Sequence, residues 1–208
     1  AVLTGDLIAS TEAPPDAVEA AMERIEEMLN WQAQATHDDI RFLRFRGDAW
    51  QCYCRDGAQG FRLTLLVLAE LRARPTLPAS RIAVAIGPAE PMPKHGLGSA
   101  TGEAFTLSGL ALDAMNSRER LVFTTADQGQ HPWQAALFSF LGWAATRWSP
   151  EQAEALSIAF RYNPPRPRDV VNALGISRQA ASSRLKGAAY APLLDAVRAF
   201  DLLVTAND

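Results

Sequence analysis

The sequence predicts an α+β fold, with a ferredoxin-like βαββαβ domain followed by an all-helical domain that contains a helix-turn-helix. Strand-like and helix-like hydrophobic spacings alternate up to about residue 126, whereas only helical spacing follows residue 130. A glycine also separates two short helical segments near residue 175. We therefore expect one domain over residues 1–128 and a second over residues 129–208.

The first domain is predicted from apolar periodicity and from residues that end helices and form turns. Gly47-Asp48 lies between two runs rich in β-forming residues, which predicts a tight hairpin, and Pro75 and Pro78 close a helix. This order of elements is that of an antiparallel sheet with helices on one face. The predicted elements are a short strand ahead of Gly5, a helix over 16–35, strands over 40–46 and 49–55, a helix over 61–73, a strand over 81–86, a helix over 103–117 and a strand over 121–125.

The second domain is predicted to be helical throughout. A first helix covers 132–147, and Trp133, Trp143 and the adjoining Trp148 share a helical spacing that suits a core or a dimer face. Ser149 and Gln152 form a capping-box pattern at the start of the next helix. Prolines over 164–167 end that helix, and two further helices are expected with one break at Gly175.

Composition and charge exclude several classes of protein. The chain is 48% apolar and 21% charged, which excludes general disorder, and no apolar run reaches the length of a membrane span. The first residues lack the basic region and apolar run of a secretory signal, and two closely spaced cysteines suit reduced thiols, so we expect a cytoplasmic protein without membrane contact. Residues 1–160 carry a net charge of −6 and residues 161–208 carry +3, which favours an anionic partner for the second domain.

The segment around Gly175 has the pattern of a helix-turn-helix. Gly175 suits the turn, Ser177 can cap the following helix, and Ala181 and Leu185 lie on one face as its inward side. The outward residues are polar or basic, as double-stranded DNA requires. The alternative is a helical hairpin used only for packing or dimerisation. We expect base contacts from Arg178, Gln179, Ser182 and Ser183 and phosphate contacts from Arg184 and Lys186, with Arg166 and Arg168 as further candidates.

Two glycine–aspartate pairs are the candidate metal site of the first domain. Asp6 follows the first strand and Asp48 lies at the hairpin tip, and these strands are neighbours in a ferredoxin-like sheet. Two carboxylates together with phosphate oxygens are how Mg²⁺ is commonly held during phosphoryl transfer. The alternative is that each pair only forms a turn, because glycine and aspartate are common turn residues.

The order of these motifs resembles the SatD family over nearly the whole chain. The matching stretches are Gly5-Asp6-Leu7-Ile8, Gly47-Asp48-Ala49-Trp50-Gln51, Ile82–Gly87, the stretch from Gly98 to Phe105 and the helix-turn-helix tail. More distantly, the first domain is similar to class III nucleotidyl cyclases and palm-type polymerases. That resemblance implies a cyclase-type or palm-type domain in which Asp6 and Asp48 would be the ligands of Mg²⁺.

The sequence departs from the cyclase pattern at residues that serve catalysis there. Asp113 follows Gly109-Leu-Ala-Leu where cyclases have an asparagine, and Ser117 stands where they have an arginine. We therefore interpret the protein as a DNA-binding transcriptional regulator whose cyclase-like domain senses a ligand, such as a nucleotide, or dimerises, and we assign no catalytic residue. The alternative is a Mg²⁺-dependent nucleotidyl cyclase or nucleotidyltransferase that uses Asp6 and Asp48. Because helix-turn-helix proteins commonly bind DNA as dimers, we expect a homodimer.

Overall fold

The computed structural model describes residues 1–45, 47–88, 92, 96–126, 132–162 and 165–205, and the side chains of these residues up to 202. The predicted boundary at residue 128, Arg46 of the predicted hairpin and part of the proline stretch at 163–164 lie outside these residues. The elements are β1 (Val2–Leu7), α1 (Pro15–Thr36), β2 (Ile40–Phe45), β3 (Ala49–Cys54), α2 (Gln59–Arg72), β4 (Ser80–Ile86), α3 (Glu103–Ala114), β5 (Leu121–Thr125), α4 (Pro132–Ala145), α5 (Pro150–Phe160), α6 (Asp169–Leu174), α7 (Arg178–Gly187) and α8 (Tyr190–Thr205).

The five strands form one sheet in the order β2-β3-β1-β4-β5. The central strand β1 is antiparallel to both neighbours, and its Asp6 lies opposite Ala49 of β3 and Arg81 of β4. The first four strands have the order and directions of the predicted βαββαβ plan. The last strand, β5, extends the sheet in parallel with β4. A mixed α+β fold is therefore confirmed.

Helices cover both faces of this sheet, which corrects the expectation of helices on one face. Leu3 and Leu7 of β1 belong to the large core on the side of α1 and α2. Helix α3 packs on the other side, where Phe105 joins a small core with Val2 and the Ser108 hydroxyl hydrogen-bonds that of Thr4 at 2.7 Å. The strand residues beneath α3 are small, such as alanine and threonine, so a second helical layer approaches closely.

The large core continues from the sheet into the C-terminal helices. Four phenylalanine rings meet there with centroids 4.6 to 6.0 Å apart. They come from α2, β5, α4 and α8, and aromatic pairs at these distances contribute about 0.5–1.5 kcal/mol each beyond the burial of their area. The rings are those of Phe61, Phe123, Phe138 and Phe200. The helices after residue 131 therefore share their apolar core with the sheet.

Buried charge fixes α5 against α2. Arg62 of α2 is 1% exposed and donates to the carbonyl oxygens of Phe160 and Arg161 at the end of α5, at 3.0 and 3.4 Å. Burial lowers the pKa of Arg62 to about 10. The amide oxygens of Gln32 and Gln59 accept its other hydrogen bonds. A cation that completes the end of a helix satisfies carbonyls that would otherwise lack partners.

The helices near the C-terminus begin where their capping residues predict. Ser149 and Gln152 form both hydrogen bonds of the capping box at the start of α5. Gly175 adopts a left-handed backbone conformation, with φ of +61°, at the end of α6. Three helices follow the proline stretch instead of the two expected, because the chain breaks again at Ala189, whose φ is +59°. None of the helices in the described part of the chain is long and apolar enough to cross a membrane.

Candidate functional site

The first glycine–aspartate pair lies inside β1 and has a packing role. Trp50 is fully buried across Gly5, and a Cβ on Gly5 would lie 2.5 Å from its ring and 2.8 Å from the carbonyl oxygen of Arg81. Only glycine fits at this position without moving the tryptophan or β4. The packing of Trp50 therefore explains the glycine at position 5 without a turn or a metal site.

The Asp6 carboxylate is bound by an arginine on the neighbouring strand. Arg81 lies opposite Asp6 in the β1–β4 register and donates from Nε to Oδ1 at 2.9 Å and from Nη2 to Oδ2. This forked contact raises the pKa of the Arg81 guanidinium. Both side chains are about one quarter exposed, so the pair lies at the edge of the protein rather than in its core.

The second pair forms the hairpin turn between β2 and β3. Gly47 has a φ of +78°, which favours glycine. The carbonyl oxygen of Asp48 accepts a hydrogen bond from the amide of Leu7 at 3.0 Å. The topology thus brings Asp48 and Asp6 to the same end of neighbouring strands, as predicted. Their side chains bind different partners, because the Asp48 carboxylate accepts a hydrogen bond from the hydroxyl of Ser10.

These contacts do not suit a magnesium ion at Asp6. Mg²⁺ requires oxygen ligands at about 2.0–2.1 Å, and both carboxylate oxygens of Asp6 are occupied by a guanidinium that would repel a second cation. No group of three or more histidine, cysteine, aspartate or glutamate side chains that could hold a metal ion occurs among the described residues. In this arrangement Arg81 supplies the positive charge that Asp6 needs.

Sequence reasoning overlooked Arg81 as the partner of Asp6. The arginine is the second residue of β4, 75 positions from Asp6, and nothing in its neighbourhood in the sequence marks it as a partner of Asp6. The antiparallel register of β1 and β4 would have identified it, since residues directly opposite each other on one face are neighbours.

Helix α7 presents the polar surface that the sequence predicts for it. The Ser177 hydroxyl accepts a hydrogen bond from the amide of Ala180 at 3.1 Å and so caps the helix. Ala181 and Leu185 are buried, and they hold the inner side of the helix. The outer side is exposed, and α7 contains no acidic residue. The exposed candidates are Arg178, Gln179, Ser182, Ser183 and Lys186.

A groove of about 440 Å³ runs beside α7 and gathers three cations. Arg168 enters it from the start of α6, and Arg178 and Lys186 enter it from α7. Ser182 lies between the two α7 cations, because residues four apart share one face of a helix. The rest of the lining is apolar or aromatic and includes Tyr190 of α8. No carboxylate lines the groove among the described residues, so it favours anions.

The other two predicted phosphate ligands are engaged within the protein. Arg184 is half-buried, and its guanidinium lies 3.3 Å from the Glu154 carboxylate of α5. Arg166 stacks over the ring of Tyr162, with its guanidinium carbon 4.4 Å from the ring centre. Arg168, by contrast, is 84% exposed and lies only loosely beside Asp169, at 3.9 Å. The cations therefore differ in how readily they could meet a phosphate.

No family model matches the sequence, and no curated protein matches it. Among solved structures, the chain is similar to a bacterial light-regulated adenylyl cyclase at 17% identity, with a TM-score of 0.42 over 59% of this chain and 73% of that one. It is also similar to a guanylyl cyclase at 14% identity, with a TM-score of 0.39 over 59% of this chain and 73% of that one.

Proposed function

We propose that the protein is a DNA-binding transcriptional regulator in which α6 and α7 form a helix-turn-helix. The observation that carries the proposal is the groove beside α7, where Arg168, Arg178 and Lys186 converge and no carboxylate is among the described lining residues. Such a surface complements the phosphate backbone, and an exposed polar helix of this length enters the major groove of DNA.

The placement of the side chains supports a division of roles along the surface. Arg178, Gln179, Ser182 and Ser183 lie on the first two turns of α7, from which a recognition helix contacts base edges. Lys186 lies a turn further on and Arg168 lies at the start of α6, and both would contact phosphates. Arg184 would do the same only by exchanging Glu154 for a phosphate.

The sheet domain is proposed to sense or to dimerise rather than to transfer phosphoryl groups. The ion pair between Asp6 and Arg81 supports this view, because it engages one of the two carboxylates that a metal ion would need. The departures from the cyclase pattern at Asp113 and Ser117 also argue against phosphoryl transfer. A nucleotidyl cyclase that uses Asp6 and Asp48 has no supporting contact in this arrangement.

Selection of bound duplexes from a randomised DNA pool tests the proposal at Arg178. The wild-type protein is expected to enrich a defined sequence. Arg178→Ala is expected to relax preference at one base pair, with a loss of roughly 1–3 kcal/mol for the preferred site, as for a bidentate arginine–guanine contact.

Arg118→Ala is the matched control, because Arg118 is an exposed arginine on the sheet domain, between α3 and β5. It removes the same charge and is expected to enrich the same sequence as the wild type. If the wild-type protein enriches no sequence, or if Arg178→Ala and Arg118→Ala behave alike, α7 does not recognise DNA bases.

A further inference from the structure

The outer face of α4 carries a stripe of aromatic side chains that are more than half exposed. Trp133, Phe140 and Trp143 are 53%, 60% and 53% exposed, although large aromatic residues are usually buried. The sequence allowed all three tryptophans of this region to be core residues, but only Trp148 is buried. These exposed aromatic residues of α4 are therefore candidates for an interface.

The stripe has the spacing of a helix–helix interface. Trp133, Ala136, Phe140, Trp143 and Arg147 follow each other at intervals of three and four residues, so they line one face of α4 and of the turn after it. This is the a and d pattern by which one helix packs along another. A contact between the rings of Phe140 and Trp143, with centroids 5.7 Å apart, gives the face a firm aromatic centre.

We propose that this stripe binds the same stripe of a second copy of the chain, with the two α4 helices antiparallel about a two-fold axis at Phe140. That register is self-complementary. It sets Ala136 against Ala144 of the other copy, so that two small residues meet and the helices approach closely. It also sets Trp133 against Arg147, and a guanidinium binds well over an indole ring. A parallel pairing would instead bring the two Arg147 side chains together.

The chemistry of Arg147 supports this register. Its guanidinium already lies over the ring of Trp143 in the same chain, 5.0 Å from the ring centre, so it is oriented along the stripe. In the antiparallel pair this cation would lie between Trp143 of its own chain and Trp133 of the other copy. It is the one charged residue of the stripe, so the two faces would meet with no like charges opposed.

The available area suits a homodimer of modest size. Three aromatic side chains that are just over half exposed offer about 300 Å² per copy, or about 600 Å² for the pair. Leu137, Ala144 and the stem of Arg147 lie beside them and extend the patch towards the roughly 1,200 Å² at which stable interfaces begin. We therefore expect a reversible dimer whose population depends on protein concentration.

The test measures the mass of the full chain by sedimentation over a wide concentration range, without DNA. The wild type is expected to pass from monomer to dimer, and Phe140→Glu is expected to remain monomeric with an unchanged helical circular dichroism spectrum. Leu110→Glu is the matched control, because Leu110 on α3 is 62% exposed and lies outside the stripe. It should dimerise like the wild type. A wild type that stays monomeric overturns the proposal and leaves the stripe to a different protein, and so does equal dimerisation of both variants.

A disulfide experiment tests the axis itself. A disulfide requires that the two Cα atoms lie within about 7 Å of each other. A two-fold axis through position 140 brings the two copies of this position together, so the thiols that Phe140→Cys introduces can form a bond across it. This variant should therefore form a covalent dimer with oxidised glutathione, whereas Leu110→Cys should not. The native Cys52 and Cys54 are buried, and burial raises their thiol pKa values, that of Cys52 to about 12. Absence of the Phe140→Cys dimer, or equal cross-linking of both variants, contradicts the axis. Neither test depends on DNA, so either proposal can fail alone.

Discussion

At the scale of single residues, the two glycine–aspartate pairs owe their similarity to different causes. Position 5 requires glycine because the ring of Trp50 leaves no room for a Cβ, and position 47 favours glycine because its backbone is left-handed. Asp6 binds an arginine on β4, and Asp48 binds a hydroxyl in the loop after β1. A repeated dipeptide therefore reflects two local requirements, the close approach of Trp50 at Gly5 and the hairpin turn at Gly47.

The pairing of Asp6 predicts that the two aspartates take no part in binding divalent cations or nucleotides. Any heat of binding that titration calorimetry detects with ATP or GTP in the presence of Mn²⁺ should be independent of Asp6 and Asp48, because the Arg81 guanidinium occupies both oxygens of Asp6. Asp6→Asn/Asp48→Asn is the comparison, and it should behave alike. Binding by the wild type that the double variant loses would show that the carboxylates hold a metal ion and that Arg81 moves away.

The sequence predicted the neighbourhood of the aspartates but not their partners. Their position at the same end of neighbouring strands follows from the order of the strands and from the hairpin. The Arg81 contact depends on the register of β1 with β4, which is set by packing across the whole sheet and by no local signal. Partners that lie far apart in the sequence are for this reason the part of a site that a single sequence reveals least.

At the scale of elements, helix α2 holds α5 through a buried carboxylate. Its Glu70 is 1% exposed, accepts a hydrogen bond from the Ser157 hydroxyl at 2.6 Å and lies within 2.9 Å of Arg24 and Arg74. Arg161 lies 3.7 Å away. Burial by itself would raise the pKa of Glu70, but the Ser157 hydrogen bond and the arginines outweigh it and lower the pKa.

A pH dependence of stability follows from this lowered pKa. Because Glu70 holds its proton less tightly in the folded chain than in the unfolded chain, its contribution is complete above the unfolded value of about 4.3 and is lost as the pH falls through the folded value. Glu70→Gln should lower the free energy of unfolding by about 1–3 kcal/mol at pH 7, and by less below pH of about 4. Urea unfolding at the two pH values measures both effects.

Glu19→Gln serves as the control for the Glu70 experiment. Glu19 forms an ion pair with Arg44, but its side chain is 54% exposed. Exposed pairs contribute about 0–1 kcal/mol, so this variant should unfold close to the wild type at both pH values. Equal losses in the two variants would mean that the buried cluster has no special part in holding α5 against α2.

The ends of helices were predictable where capping or turn residues determine them. The capping box at Ser149, the turn at Gly175 and the cap at Ser177 all lie where the sequence indicates. The covered second face of the sheet was not predictable in this way, because it depends on where α3 packs. The break at Ala189 also escaped prediction, since a left-handed alanine carries no sequence signal comparable to glycine.

At the scale of the whole molecule, charge and apolar surface are separated. The net positive charge lies in residues 161–208, with the groove beside α7, while the exposed aromatic stripe lies on α4. Both regions attach to one core that includes the sheet. A dimer through α4 would place two α7 helices in one assembly, which is the arrangement that palindromic DNA sites require.

The salt dependence of DNA affinity is the most direct test of the central claim that α7 and its groove bind DNA. Fluorescence anisotropy with a labelled duplex a few helical turns long would give the affinity at several salt concentrations. Each phosphate contact contributes about 0.9 to the slope of log affinity against log salt concentration. Arg178→Ala/Lys186→Ala should weaken binding and reduce this slope by about 1 for each bound chain, the share of the Lys186 phosphate contact, whereas Arg118→Ala should leave the slope unchanged. A wild-type protein that binds no duplex at low salt, or a double variant with the wild-type slope, would contradict the claim.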